Sequence, residues 1–141
     1  MVRVTTKRRT NAQVLRNVFA LEKMTRTTRV KAGIFGDKRY PNGTPVALVA
    51  AVNEYGNSGR PARPAWREAM SEGKTRFAKT FARGCKRVIS GKGTPAEAFD
   101  AVGVGMKEAV KKKILEYGIY DTGRLYRSVG YKKLKIGGKD K

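Results

Sequence analysis

Thr28-Arg29-Val30-Lys31-Ala32-Gly33-Ile34-Phe35 is the stretch on which the fold class turns. Val30, Ala32 and Ile34 alternate onto one face, and this period of two predicts a strand that stops at Gly36. Helical spacing lies on both sides of it. Upstream, Thr10 or Asn11 is placed to cap a helix reaching about residue 24, with Val14, Leu15, Val18, Phe19 and Leu21 as its apolar positions. Downstream, Tyr40-Pro41-Asn42-Gly43 predicts a turn, and residues 36–44 have room for one further strand of a hairpin. Thr44-Pro45 then predicts an N-cap followed by proline at the first helical position. That helix runs through Val46, Val49, Ala50 and Val52, and Gly56 is suited to end it.

The rest of the chain is read outward in the same way. Pro64 opens a helix to about residue 89, roughly 35–40 Å long. Trp66, Met70, Phe77, Phe81 and Val88 form its apolar stripe, opposite a basic face of Arg76, Lys79, Arg83, Lys86 and Arg87. Thr94-Pro95-Ala96-Glu97 reads as a capping box that starts a last long helix, carrying Phe99, Val102, Met106, Ala109, Val110, Ile114 and Tyr117 and ending at Gly118. Asp121 or Thr122 caps a single turn, and Val129, Tyr131, Leu134 and Ile136 suggest a closing strand. Separated strands among helices predict an α+β fold: a small antiparallel sheet packed against two long and two shorter helices. Residues 1–9 read as a basic flexible arm, 10–136 as a single α+β domain and 137–141 as a flexible basic tail.

Composition narrows the chemistry. The chain has 141 residues and no histidine, which removes Ser-His-Asp and Cys-His catalysis and the commonest zinc ligand. One cysteine, Cys85, excludes an intrachain disulfide and fits a reducing compartment. It lies by the apolar stripe of its helix, as a small core residue rather than a nucleophile. No apolar run approaches the ~20 residues that span a bilayer, and no secretory leader is visible at the N-terminus. Lys and Arg number 32 against 11 acids, a formal net charge of +21. The charge is +9 over residues 1–40, zero over 41–72, +7 over 73–93, −1 over 94–121 and +6 over 122–141. Such a field attracts nucleic acid or an acidic protein surface, or is simply a solvated face with basic tails.

Cofactor motifs fail on inspection. Ser90-Gly91-Lys92-Gly93-Thr94 is not a phosphate-binding loop, because position 86 is Lys86 rather than glycine and Gly93 follows the lysine. Gly103-Val104-Gly105 lacks a third glycine at Glu108 and follows no strand, so these glycines are read as allowing close helix packing. Glu97 and Asp100 share a helix face, where acids near the first turn are favoured electrostatically. No cofactor and no metal are expected, and an enzyme is not the expected class.

Two corners remain. Asn53-Glu54-Tyr55-Gly56, with Arg60-Pro61-Ala62-Arg63-Pro64-Ala65-Trp66, joins two helices through a proline-stiffened loop. Arg60 and Arg63 are placed to pair with Glu54, and Glu54, Tyr55, Arg60, Arg63, Pro64 and Trp66 are the candidate subunit or partner contacts, with Tyr55 and Trp66 as anchors. The second corner, Asp121-Thr122-Gly123-Arg124-Leu125-Tyr126-Arg127-Ser128-Val129, reads as a structural clasp. In it Asp121 or Thr122 caps, Gly123 turns, Leu125 returns to the core, Arg124 and Arg127 point outward and Ser128 leads into the closing strand.

These corners, in this order, resemble a known family. Ala51-Val52-Asn53-Glu54-Tyr55-Gly56, then Ala62-Arg63-Pro64-Ala65-Trp66-Arg67, then Asp121 to Val129, are similar to the motifs of small tail-completion or head–tail joining proteins of tailed bacteriophages, including relatives of minor tail protein Z and the virion-morphogenesis proteins. The resemblance covers roughly residues 30–131, with the aromatic after the arginine displaced by one position. It implies a non-enzymatic virion protein at the head–tail junction, assembled in the host cytoplasm. It implies a homo-oligomeric ring, six-fold in expectation, between head connector or neck proteins and the tail tube or tail terminator, with contact to packaged DNA and no membrane. The rival reading is a basic nucleic-acid-binding protein using the helix at residues 73–93 and both tails.

Overall fold

The computed structural model describes residues 10–119 and 122–136. Within them the order is α1 (Asn11–Thr27), β1 (Thr28–Ile34), α2 (Val46–Tyr55), α3 (Ala65–Ile89), α4 (Pro95–Glu116), α5 (Arg124–Ser128) and β2 (Val129–Lys135). This is the expected α+β class, with a small antiparallel sheet on helices; the fifth helix is the short turn after Gly123. The expected arm at residues 1–9, the tail at 137–141 and Asp121 lie outside the described residues.

α1 starts on a complete capping box: the Gln13 amide donates to Thr10 Oγ1 at 3.3 Å, and the Thr10 amide donates to Gln13 Oε1 at 3.1 Å. It runs to Thr27, a turn beyond the expected end, and passes directly into β1. Its apolar positions divide. Leu21 is buried, with Val18 and Met24 beside it, whereas Leu15 and Phe19 are 57% and 69% exposed. Five apolar positions span two neighbouring stripes of one helix, and a single contact with the body covers only one of them.

β1 and β2 pair with Ile34 opposite Val129, Ala32 opposite Tyr131 and Val30 opposite Lys133. That face meets α4: Tyr131 Oη donates to Asp100 Oδ1 at 3.1 Å, and Lys133 Nζ lies 3.0 Å from the same oxygen. Gly103 makes room for the Tyr131 ring, which would stand 2.2 Å from an added Cβ. Gly103 therefore serves helix-on-sheet contact, contrary to the expectation from sequence, whereas a Cβ added at Gly105 would lie 3.7 Å from the Phe77 ring of α3, an ordinary helix–helix contact. The close helix approach is at Gly84 of α3, where a Cβ would lie 2.7 Å from Ala98 Cβ of α4.

Residues 36–44 add no third strand among the described residues. They form a turn closed by Gly43 N–H to Tyr40 O at 2.9 Å and one isolated bridge, Arg39 to Pro45. The N-cap of α2 is Pro45, not Thr44, because the Val46 amide is already committed to Lys38 O at 2.9 Å and the first turn starts one residue later.

The main core joins Val46 and Ala50 of α2, Ala65 and Ala69 of α3, Ala109, Val110 and Ile114 of α4, Leu125 of α5 and Val129 of β2. Its alanines let three helices approach closely. Val46, Val110 and Ile114 are fully buried, each contributing about 1.5–3 kcal/mol. A second cluster joins Leu21, Val88 and Phe99, with Phe81 edge-on to Phe99 at 5.1 Å between ring centroids and Cys85 against it. The stripe read on α3 is thus the buried one: Trp66, Met70 and Phe77 pack on the first cluster, Phe81 and Val88 in the second.

Candidate functional site

The first corner is held by Glu54. Only 6% of this residue is exposed. Its carboxylate accepts the first amides of α3, from Trp66 N–H to Oε2 at 3.0 Å and Arg67 N–H to Oε1 at 2.9 Å. Arg67 adds Nε to Oε1 at 3.2 Å and Nη2 to the Glu54 carbonyl at 2.8 Å. A carboxylate from the end of one helix therefore caps the start of the next, where the N-terminal dipole favours negative charge. This corrects two sequence expectations. Glu54 pairs with Arg67 rather than Arg60 or Arg63, and its carboxylate, expected among the outward contacts, is buried as a cap. Arg67 was missed because Arg60 and Arg63 flank the prolines and draw attention first.

The loop above this cap is closed twice. At its base the Arg63 amide donates to Asn53 O at 2.6 Å. At its tip Asn57 and Arg60 exchange backbone hydrogen bonds at 3.0 and 3.2 Å, with Gly59 N–H to Asn57 Oδ1 at 3.1 Å. Gly56, at φ +73°, is the turning point, and an added Cβ would strike the Ala62 amide nitrogen at 2.8 Å. Tyr55 is 72% exposed, with the Arg67 guanidinium 5.3 Å from its ring centroid. Trp66 is half-buried against the core and Pro64, the N-cap of α3, is also half-buried, so Tyr55, Arg60 and Arg63 are the outward members of the candidate set.

The second corner closes on the first. Gly123, in the left-handed region at φ +75°, is the N-cap of α5, and Thr122 Oγ1 accepts the Arg124 amide at 3.4 Å. Leu125 enters the core as expected, and Ser128 Oγ donates to Arg124 O at 2.6 Å. Arg124 and Arg127 are exposed but engaged: Arg124 Nη1 donates to Arg39 O at 3.0 Å and Arg127 Nη2 to Thr122 O at 3.4 Å. Lys38 Nζ reaches Ser128 O at 3.3 Å. The clasp thus ties the loop at residues 36–44 to the closing strand.

Between the two corners lies a groove of about 530 Å³. Arg60 and Arg63 stand on one side, Thr122, Gly123 and Leu125 on another, and Tyr40, Asn42 and Thr44 on a third; Val49 and Asn53 of α2 and Gly118 and Ile119 complete it. No carboxylate lines it among the described residues, and neither the Arg60 nor the Arg63 side chain has an ion pair or hydrogen bond among them.

Two further clusters are structural in geometry. Lys113 of α4 sits among Glu72 at 2.8 Å, Glu116 at 3.1 Å and Glu68 at 3.6 Å. Hydrogen bonds to Glu72 and then Glu116 push its ammonium far above the ordinary lysine range. Tyr117 Oη donates to Glu68, and that bond raises the phenol. Burial raises the Cys85 thiol, as befits a packed residue, and raises the Tyr131 phenol with help from Asp100. The Lys113 cluster had a signal, acids at i,i+4 on one helix and Lys and Glu at i,i+3 on the next, but not the pairing of the helices.

The basic face is as the helical wheel places it. Arg76, Lys79, Arg83, Lys86 and Arg87 are all exposed along about 16 Å of α3, and none meets a carboxylate among the described residues. The described residues hold no group of His, Cys, Asp or Glu able to bind a metal, and no helix long and apolar enough to cross a membrane. No protein-family model matches the chain, and no curated protein or solved structure matches it significantly.

Proposed function

We propose that this chain is a non-enzymatic assembly protein that forms a ring completing the tail, or joining head to tail, in a tailed bacteriophage. The reading rests on the two sequence corners that resemble that family. Its strongest support in the fold is that these corners, more than fifty residues apart in sequence, wall one groove that carries two arginines without an ionic partner among the described residues. A catalytic site would gather side chains of complementary protonation; this groove gathers rigid backbone and outward guanidinium groups, which is what heterologous contact between subunits or partners uses. The test is native mass spectrometry with electron microscopy of the full chain. Rings about six times the 15.6 kDa protomer support the reading, and a strict monomer with and without head and tail particles refutes it.

The unneutralised row on α3 favours a second reading, backbone contact with nucleic acid. A gel-shift titration in salt distinguishes the two: tight, salt-steep binding by the isolated chain supports the second, and no binding supports the joint.

A further inference from the structure

We infer that the groove between the two corners is a receptor for an acidic peptide segment of a partner protein, its carboxylates held by Arg60 and Arg63 and a neighbouring apolar side chain seated on Val49 and Ile119. The inference deepens the assembly reading by naming what the groove takes, and it rests on that reading only for the identity of the partner.

Three observations converge on this occupant. The groove's volume, about 530 Å³, lies within the ~300–1,000 Å³ of ligand-sized clefts, too large for a lone ion. Among the described residues its charge is one-sided, since Arg60 and Arg63 both line it and no carboxylate does, and a planar fork binds a carboxylate through two parallel N–H···O bonds. Its wall is mixed, because Val49 and Ile119 lie beside Asn53 and Thr122, which suits a side-chain-bearing chain rather than a bare phosphate backbone. The phosphate-like alternative has a better seat on α3, where five cations lie open to solvent. A second copy of this chain is a poor donor. Of its 11 acidic residues, Glu22, Asp37, Glu54, Asp100 and the Glu68, Glu72 and Glu116 set already have basic partners in the same chain. The loop is also preorganised by its double closure, so binding does not have to order it.

The test uses the full chain and a fluorescein-labelled peptide, Glu-Glu-Leu-Asp-Glu-Leu, read by anisotropy. Arg60→Gln with Arg63→Gln removes two charges from the groove; Arg83→Gln with Lys86→Gln removes the same two charges from α3. The groove pair is expected to weaken peptide binding by about tenfold or more and the α3 pair by less than about twofold. Equal losses would show that net charge alone attracts the peptide, and would overturn the inference. A labelled oligothymidylate is expected to lose affinity more with the α3 pair; a larger loss with the groove pair would make the groove a phosphate site and equally overturn it. Neither groove arginine makes a described side-chain contact, so thermal melts of the groove pair should match the parent. Arg60→Lys with Arg63→Lys keeps charge and fold, and is expected to lose about threefold or more because the fork is gone; unchanged affinity would count against the arginines. The outcome is independent of ring formation. Selective peptide binding by a strict monomer would keep this inference and sink the neck reading, and rings without selective binding would do the reverse.

Discussion

Replacing Glu54 by alanine should unlatch the first corner. The substitution removes the acceptor for two α3 amides, Trp66 and Arg67, and the partner of the Arg67 guanidinium. Loss of an N-cap costs about 1–2 kcal/mol. Leaving a half-buried amide without an acceptor adds about 1–2 kcal/mol. The ion pair itself adds less than about 1 kcal/mol, because the Arg67 side chain is 58% exposed and water screens it. The sum is about 2–5 kcal/mol. With a urea m-value of about 1.5–2 kcal/mol/M, a loss of 3 kcal/mol moves the midpoint down by about 1.5–2 M. Arg67→Ala should cost under about 1.5 kcal/mol, from the screened pair and the exposed Tyr55 contact. Glu54→Gln keeps one carbonyl oxygen and should fall between the two. Equilibrium urea unfolding, followed by far-UV circular dichroism, measures all three. If Arg67→Ala costs as much as Glu54→Ala, the salt bridge rather than the cap holds the corner; if Glu54→Ala costs less than about 1 kcal/mol, the capping argument is wrong.

Other expectations follow from the packing and charge. Gly84→Val should destabilise by about 1–3 kcal/mol, since its Cβ would meet Ala98, and Ala98→Gly in the same chain should recover part of that loss in a double-mutant cycle. Lys113 is raised in the folded state by Glu72 and Glu116, so its stabilisation is full below the ordinary lysine range and fades as pH climbs through the folded value. The urea-midpoint gap between the parent and Lys113→Met should therefore hold steady from about pH 8 to about pH 10 and begin to narrow above that, and a gap that stays constant above the ordinary lysine range would count against the cluster. Tyr117, also raised, moves alkaline stability in the same direction. Association with acidic partners should weaken steeply between low and high salt, as light scattering would show; salt-independent association would remove the electrostatic account.

Local signals carried the architecture. The alternation of Val30, Ala32 and Ile34, the Thr10 and Thr94 caps and the α3 stripe all appear in the fold because each is written within a single element. What escaped was relational. Val14, Val18 and Leu21 could not be told from Leu15 and Phe19 as the packed side of α1, because both stripes are apolar and only the neighbour decides. Gly103 changed role, and the close helix approach fell at Gly84 instead, for the same reason: a glycine announces that something comes close, not what. At the corners, Glu54 was assigned to the wrong arginine, and the groove itself exists only once α5 folds back on α2.

The doubly closed loop has a consequence for variation. Its ends are fixed by atoms that lie outside its tip: the Glu54 carboxylate, the Asn53 carbonyl and the amides of residues 63, 66 and 67. The entropy of bringing those ends together is thus met by the scaffold, and adding length between them grows only logarithmically more costly. Ser58, Gly59 and Pro61 are exposed and contribute nothing to either core cluster. The tip therefore behaves as a cassette. Its sequence can drift, lengthen or be exchanged by recombination while the helices beneath keep their geometry, so this corner can vary without renegotiating the fold.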